Sequence, residues 1–219
     1  MTLFPPGVPR SKRLFDLFFT GLALLLLSPL LAVVALLVWA AHGRPVLFRQ
    51  SRGGYLGSKF SVYKFRTMTS ARDRDGNLLP DEERLTRLGR FLRAASLDEL
   101  PELINILKGE MSIVGPRPLF ARYLTRYSPQ QARRLETLPG LTGWAQVNGR
   151  NDLSWEEKFR LDVWYVDHWS FSLDLKIILL TVWKVFRREG INQPGFATAE
   201  EFMGAPERLE QKEEASSLQ

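Results

Sequence analysis

The longest apolar run in the chain, Leu17 to Ala41, contains no charged residue and is long enough to cross a hydrocarbon core of about 30 Å as a helix. Ser28-Pro29 sits near its midpoint. Pro29 lacks a backbone N–H and its ring crowds the carbonyl one turn back, so a kink is expected there, with the Ser28 hydroxyl placed to satisfy a freed carbonyl. Arg10, Lys12 and Arg13 precede the run, and Arg44, Arg49 and Arg52 follow it. Cationic flanks disfavour sending either end across a bilayer. A re-entrant hairpin that turns at Ser28-Pro29 and returns to the same face is therefore favoured over a kinked single span, the commoner form in membrane proteins generally. The run is longer than an ordinary signal-peptide core and no A-x-A-like site closes it.

The pattern then changes period. Residues 46–68 alternate apolar and polar positions in KFSVYKF around a Gly-rich turn, which predicts a small β-hairpin. SARDRDGNLLPDEER reads as a mobile loop, and Glu82 to Arg93 as a helix with Leu85, Leu88 and Leu92 on one face. Helical runs are predicted near Leu119–Tyr127 and Pro129–Thr137, followed by LPGLTGWAQVNGR, whose glycines suggest an irregular loop with exposed amides. Ser154 and Glu157 form a capping box at the head of an aromatic-rich helix, and a last helix starts at Asp174 in LKIILLTVWKVFRR. That helix is too short to span and carries interspersed cations, as an interfacial helix in the headgroup layer does. Most of the six Trp lie in the second half and suit either a membrane interface or a core. From Gln193 onward the periodicity is lost and a disordered tail is expected.

These elements define an α/β fold that is predominantly helical, with a small hairpin and short strands. At 219 residues there is room for one core plus a membrane element. The expected division is 1–44 for a basic anchor and membrane hairpin, 45–204 for a membrane-associated catalytic domain, and 205–219 for an acidic tail. The net charge of +6 is uneven: residues 200–219 carry six Glu against Arg208 and Lys212, which leaves residues 1–199 at +10. So basic a body suits nucleic acid, anionic headgroups or a polyanionic small substrate, and also an ordinary charged surface. Cys is absent and His occurs only at His42 and His168, which argues against disulfides and thiolate or His-rich metal sites. Any metal should be a hard, oxygen-bound one.

Candidate chemistry concentrates in RAASLDELPELINILKGEMSIVGPRP, from Arg93 to Pro118. Asp98 and Glu99 follow Ser96, and Arg117 lies between two prolines that restrict its backbone. A structural reading is strong here, because S-x-x-E is a capping box and acidic residues in a first turn complement the helix dipole; either Ser96 or Asp98 can serve as the N-cap. Lys64, Arg66, Arg90, Arg93 and Arg117 supply the company that favours phosphate chemistry. A carboxylate can attack phosphorus if neighbouring cations and a metal neutralise the anionic target.

With KRLFDL, the central Ser-Pro, YKFRTM, SLDELPELINILKGEMSIVGPRP, PGLTGWAQVNGR and ATAEEF in order, the chain from about Lys12 to Gly204 resembles the bacterial sugar transferases, or monotopic phosphoglycosyl transferases, and most of all their short, PglC-like members. The resemblance implies transfer of a sugar 1-phosphate from a UDP-sugar to undecaprenyl phosphate with release of UMP. Asp98 would be the nucleophile, forming a covalent phosphosugar intermediate in a ping-pong reaction. Glu99 would assist in metal binding or as a base, and Mg²⁺ would bridge the diphosphate, so both carboxylates are expected metal ligands. Lys64, Arg93 and Arg117 match phosphate-binding positions, and Thr142, Gln146 and Asn148 are weaker candidates for nucleotide or sugar contact. Ser28 and Pro29 would set the membrane topology, placing the protein on phospholipid at the cytoplasmic face of the bacterial inner membrane. The lack of further N-terminal spans points to an N-acetylated amino-sugar donor. Nucleic acid is not an expected partner, and a homodimer is left open. The rival readings are a non-catalytic basic membrane-anchored binding protein and a single-pass scaffold.

Overall fold

The computed structural model describes residues 2–149, 153–187 and 201–204. Its first helix, α1 (Arg10–His42), runs unbroken through Ser28 and Pro29. Pro29 cannot donate to the Leu25 carbonyl, and the Ser28 hydroxyl donates to that same oxygen at 2.8 Å, the repair expected from the sequence. The helix meets the rest of the chain along one side. At its start Lys12 Nζ donates to Asp174 at 2.6 Å and to the Val114 carbonyl at 3.0 Å, while Arg13 donates to the Leu3 and Met111 carbonyls. At its end Val34 and Val38 pack with Phe65 and Leu92, and His42 bonds the Thr86 hydroxyl at 2.9 Å. The opposite side bares Leu14, Phe18, Leu25, Leu26, Leu36 and Trp39. Only 11% of its most apolar stretch is buried, which separates it from the core helix of a water-soluble protein.

The predicted hairpin is present. Strands β1 (Leu47–Gly53) and β2 (Lys59–Phe65) pair antiparallel, from Leu47 opposite Phe65 to Gly53 opposite Lys59. Alternation along β2 buries Phe60 and Val62, and the same period turns Lys64 to that face; across the ladder Arg52 and Gln50 stand opposite Phe60 and Val62. The helix expected over 82–93 is instead two, α2 (Asp81–Arg84) and α3 (Arg87–Ala94). Thr86 divides them because its hydroxyl accepts from Gly89 N and caps α3, while Leu85 leaves the helix to bridge Met68.

After α3 come a 3-10 turn at Leu97–Glu102, α4 (Leu103–Leu107) and the short strand β3 (Ser112–Val114). Short turns follow, among them α5 (Pro129–Ala132), and then β4 (Gly140–Thr142) and α6 (Trp144–Asn148). Thus LPGLTGWAQVN is not an irregular loop with exposed amides: β4 pairs parallel with β3, and Gly140 and Gly143 press so closely on the Gly115 backbone that a β-carbon would clash. Its glycines serve packing. The capping box of Ser154 and Glu157 opens α7 (Trp155–Asp167) as expected. Helix α8 (Phe171–Arg187) starts three residues before Asp174, whose carboxylate is buried in its first turn rather than at its cap. Its Leu179, Val182 and Trp183 are exposed.

Residues 201–204, the last of the expected 45–204 domain, pack back onto the body of the protein. Phe202 inserts among Tyr123, Tyr127 and Phe159, and Glu201 pairs with Arg122 and Arg126. The acidic tail 205–219 lies outside the described residues.

The buried Lys12–Asp174 pair joins α1 to α8, with Tyr165 and Trp169 also donating to Asp174. Asp174→Ala should destabilise the fold by about 3–5 kcal/mol, because it strands a buried ammonium, whereas Lys12→Met with Asp174→Leu should restore most of that loss. Chemical denaturation of the three forms checks this; equal midpoints for wild type and the single variant would show the pair to be dispensable.

Candidate active site

Ser96 has a left-handed backbone, φ 55°, and makes no capping bond with its side chain. Its N–H closes α3 by donating to the Arg93 carbonyl at 3.0 Å. The expected S-x-x-E capping box is therefore absent: Ser96 terminates one helix instead of starting the next. The 3-10 turn begins at once, with Pro101 unable to supply an α-helical donor, and Asp98 and Glu99 lie in its first turn. That abrupt junction brings Arg93, at the end of α3, into electrostatic contact with Asp98.

Glu99 is the hub of the site. Its Oε1 accepts from Lys64 Nζ and from Arg117 Nη2, each at 2.5 Å, whereas among the described residues Oε2 has only a 3.4 Å contact with Arg117. Lys64 also reaches Glu102 Oε1 at 3.1 Å. Burial pushes the Glu99 carboxyl up, but Arg117 and Lys64 outweigh it and hold the group well below the usual carboxylate range. Asp98 goes the other way: burial, then the neighbouring charge of Glu99, raise it against the pull of Lys64, Arg93 and Arg117. Two adjacent carboxylates thus hold opposite poises. Glu102 is also raised, by burial first and, with Lys64 pulling it down, by Glu99.

The scaffold behind the cations is firm. Arg117 follows β3 between two prolines, and its carbonyl accepts from Arg134 Nη2 at 2.7 Å; Arg134 is itself buried against Asp162. Gly140 N donates to the Pro116 carbonyl at 3.0 Å. Arg93 Nε donates to the buried Thr67 hydroxyl at 3.1 Å. Between these parts is a small cleft lined by Arg52, Val62, Lys64, Glu102, Arg117 and Pro118.

The structure thus gathers Asp98, Glu99, Lys64, Arg93 and Arg117. Thr142, Gln146 and Asn148 are engaged elsewhere, bonded to the Thr181 hydroxyl, the Leu141 carbonyl and the Trp144 carbonyl. Thr142 bears on the site through its backbone, whose carbonyl accepts from Gly115 N at 2.8 Å. Sequence reasoning missed Glu102, Thr67, Arg134 and the place of Arg52 in the cleft. Strand pairing carries the signal for Arg52, which shares a hairpin face with Lys64, and the tight turn carries it for Glu102.

No group of three or more His, Asp or Glu suited to a metal is found among the described residues. The donors available are hard oxygens, and Glu99 Oε2 is weakly engaged. Such a set fits Mg²⁺, which is usually held by one or two carboxylates with the rest of its shell from substrate phosphates and water.

Residues 9–188 match the family model described as "Bacterial sugar transferase". An uncharacterized sugar transferase, EpsL, of Bacillus subtilis is 57% identical over 194 residues, covering 89% of this chain and 96% of that protein. A UDP-glucose:undecaprenyl-phosphate glucose-1-phosphate transferase of Caulobacter vibrioides is 42% identical, covering 83% of this chain and 74% of its own. An undecaprenyl-phosphate galactose phosphotransferase of Salmonella typhimurium is 37% identical over 82% of this chain and 41% of that longer protein. A match over so much of the chain, taking in both carboxylates and the cations around them, makes this protein a member of the bacterial sugar transferase family.

Proposed function

We propose that this protein transfers a sugar 1-phosphate from a UDP-sugar to undecaprenyl phosphate, releasing UMP. The observation that carries this reading is the pair of a buried Asp98 and a half-buried Glu99 set among cations from three separate segments, in a family that includes relatives named for transfer to undecaprenyl phosphate. An Asp98 oxygen attacks the phosphorus bearing the sugar. The bond from that phosphorus to the bridging oxygen breaks, and its electron pair leaves with UMP. A phosphate oxygen of undecaprenyl phosphate then attacks the same phosphorus and releases Asp98 as carboxylate, which is a ping-pong sequence.

Lys64, Arg93 and Arg117 neutralise the diphosphate and hold it for attack; without them the nucleophile and its target repel. Glu99, held anionic by Lys64 and Arg117, is a poor base and a good electrostatic anchor. Mg²⁺ held by Asp98 and Glu99 would neutralise charge developing on the leaving phosphate. For the donor, relatives named for glucose and galactose support a hexose.

The same body holds both ends of α1, at Lys12 and Arg13 and at His42, which supports an anchor that keeps both ends on the cytoplasmic face with α8 lying at the interface, although α1 itself passes Pro29 without the expected helix-break-helix turn.

Asp98→Asn should lower UMP release by at least about a thousandfold. Wild type given labelled UDP-glucose, UDP-galactose or UDP-N-acetylglucosamine without acceptor should retain label on the protein, and the variant should not. Full UMP release by Asp98→Asn would favour the non-catalytic reading of the carboxylates. Because Asp98 attacks only when ionised, kcat/KM for the donor should fall with decreasing pH along a limb above the ordinary carboxylate range. Glu99→Gln removes a charge that raises Asp98 and should shift the limb to lower pH; an unmoved limb would mean that another group titrates. Single cysteines at positions 10 and 44 of this Cys-free chain should both react with an impermeant reagent from one side of sealed vesicles, whereas a spanning helix would divide them.

A further inference from the structure

Arg52 differs from the other cations of the site. Lys64 and Arg117 are both neutralised by Glu99, and Lys64 also by Glu102. Arg52 lines the same cleft, yet no carboxylate among the described residues reaches salt-bridge distance of it. Its guanidinium lies over the Phe120 ring, 4.1 Å from the centroid, and Nη2 donates to Gln50 Oε1 at 2.6 Å. Stacking on one face and a bond at one edge fix the orientation of the group and leave donors uncommitted. Burial, with the positive charge of Arg117 next, lowers its pKa to about 10 against the pull of Glu102 and Glu99.

A partly buried cation held beside another cation costs free energy that a bound anion returns. The arrangement has the form of a receptor with its guest outside. The required guest has at least one, and better two, negative charges on oxygens that two guanidinium groups can share, which describes a phosphate group. Other features of the molecule explain less: the bare apolar faces of α1 and α8 belong to the membrane seat, and Arg122 and Arg126 both pair with Glu201.

We propose that Arg52 and Arg117 form a phosphate subsite, with Arg52 the member that pairs with ligand alone, and that it holds a phosphate group other than the one under attack. This rests on the phosphoglycosyl-transfer reading, and two sources have that chemistry: the uridine-side phosphate of the donor, which leaves as UMP, and the phosphate of undecaprenyl phosphate. Arg52 then keeps a bound phosphate oriented while Asp98 acts.

In ping-pong kinetics kcat/KM for each substrate reports its own half-reaction, so the sources separate. With full-length protein in lipid nanodiscs, Arg52→Gln should lower kcat/KM by about tenfold to a hundredfold for the substrate that uses the subsite. A loss for donor, with a matching rise in the UMP inhibition constant, assigns the nucleotide; a loss for undecaprenyl phosphate assigns the acceptor. Arg52→Lys should recover part of the loss. Inorganic pyrophosphate titrated calorimetrically should bind Arg52→Gln more weakly than wild type, a readout independent of turnover. Unchanged kcat/KM for both substrates and unchanged pyrophosphate binding, in a variant that melts like wild type, would overturn the subsite. If wild type itself releases no UMP from any UDP-sugar, the functional reading fails instead, and the pyrophosphate titration still reports on Arg52.

Discussion

The site is organised around one carboxylate, Glu99, and the two cations that share its Oε1 oxygen. Lys64 comes from the hairpin, Arg117 from the proline-flanked loop after β3, and Glu99 from the 3-10 turn between α3 and α4. Three segments distant in sequence are tied at one partly buried point, and no one of them is placed without the others. Removing a single partner leaves an uncompensated charge behind, so each such link enforces position more than it adds stability. The opposite poises of Asp98 and Glu99 follow from this geometry: the cations spend themselves on Glu99 and reach Asp98 only at a distance.

Buried ion pairs recur as the framework around that point. Arg134–Asp162 secures the Arg117 carbonyl from α7, and Lys12–Asp174 joins α1 to α8. Lys12 also donates to the Val114 carbonyl, three residues before Arg117. The anchor helix is thus wired to the strand that delivers the phosphate-facing arginine. Membrane seating and active-site geometry therefore share a structural element.

Much of this was legible beforehand where the cause is local. The apolar run, the Ser28–Leu25 repair of Pro29, the alternating hairpin and the Ser154–Glu157 cap each depend on residues within a few positions of one another, and each appeared as expected. Reading failed where a distant partner decides. Ser96 looks like a cap, but the end of α3 claims it. The glycines at 140 and 143 look like loop residues until the Gly115 backbone lies against them.

By itself the sequence determined the apolar length of α1, the pairing of Asp98 with Glu99 and the proline restraint on Arg117, because spacing along the chain imposes each of these. Only the tertiary structure decided that Lys64 and Arg117 meet on one oxygen, that Glu102 and Arg52 join them, and that Thr142, Gln146 and Asn148 bond elsewhere. The reason is physical: a charge has no fixed partner in sequence, and which neighbours share its buried, weakly screened volume is set by packing between segments far apart in the chain.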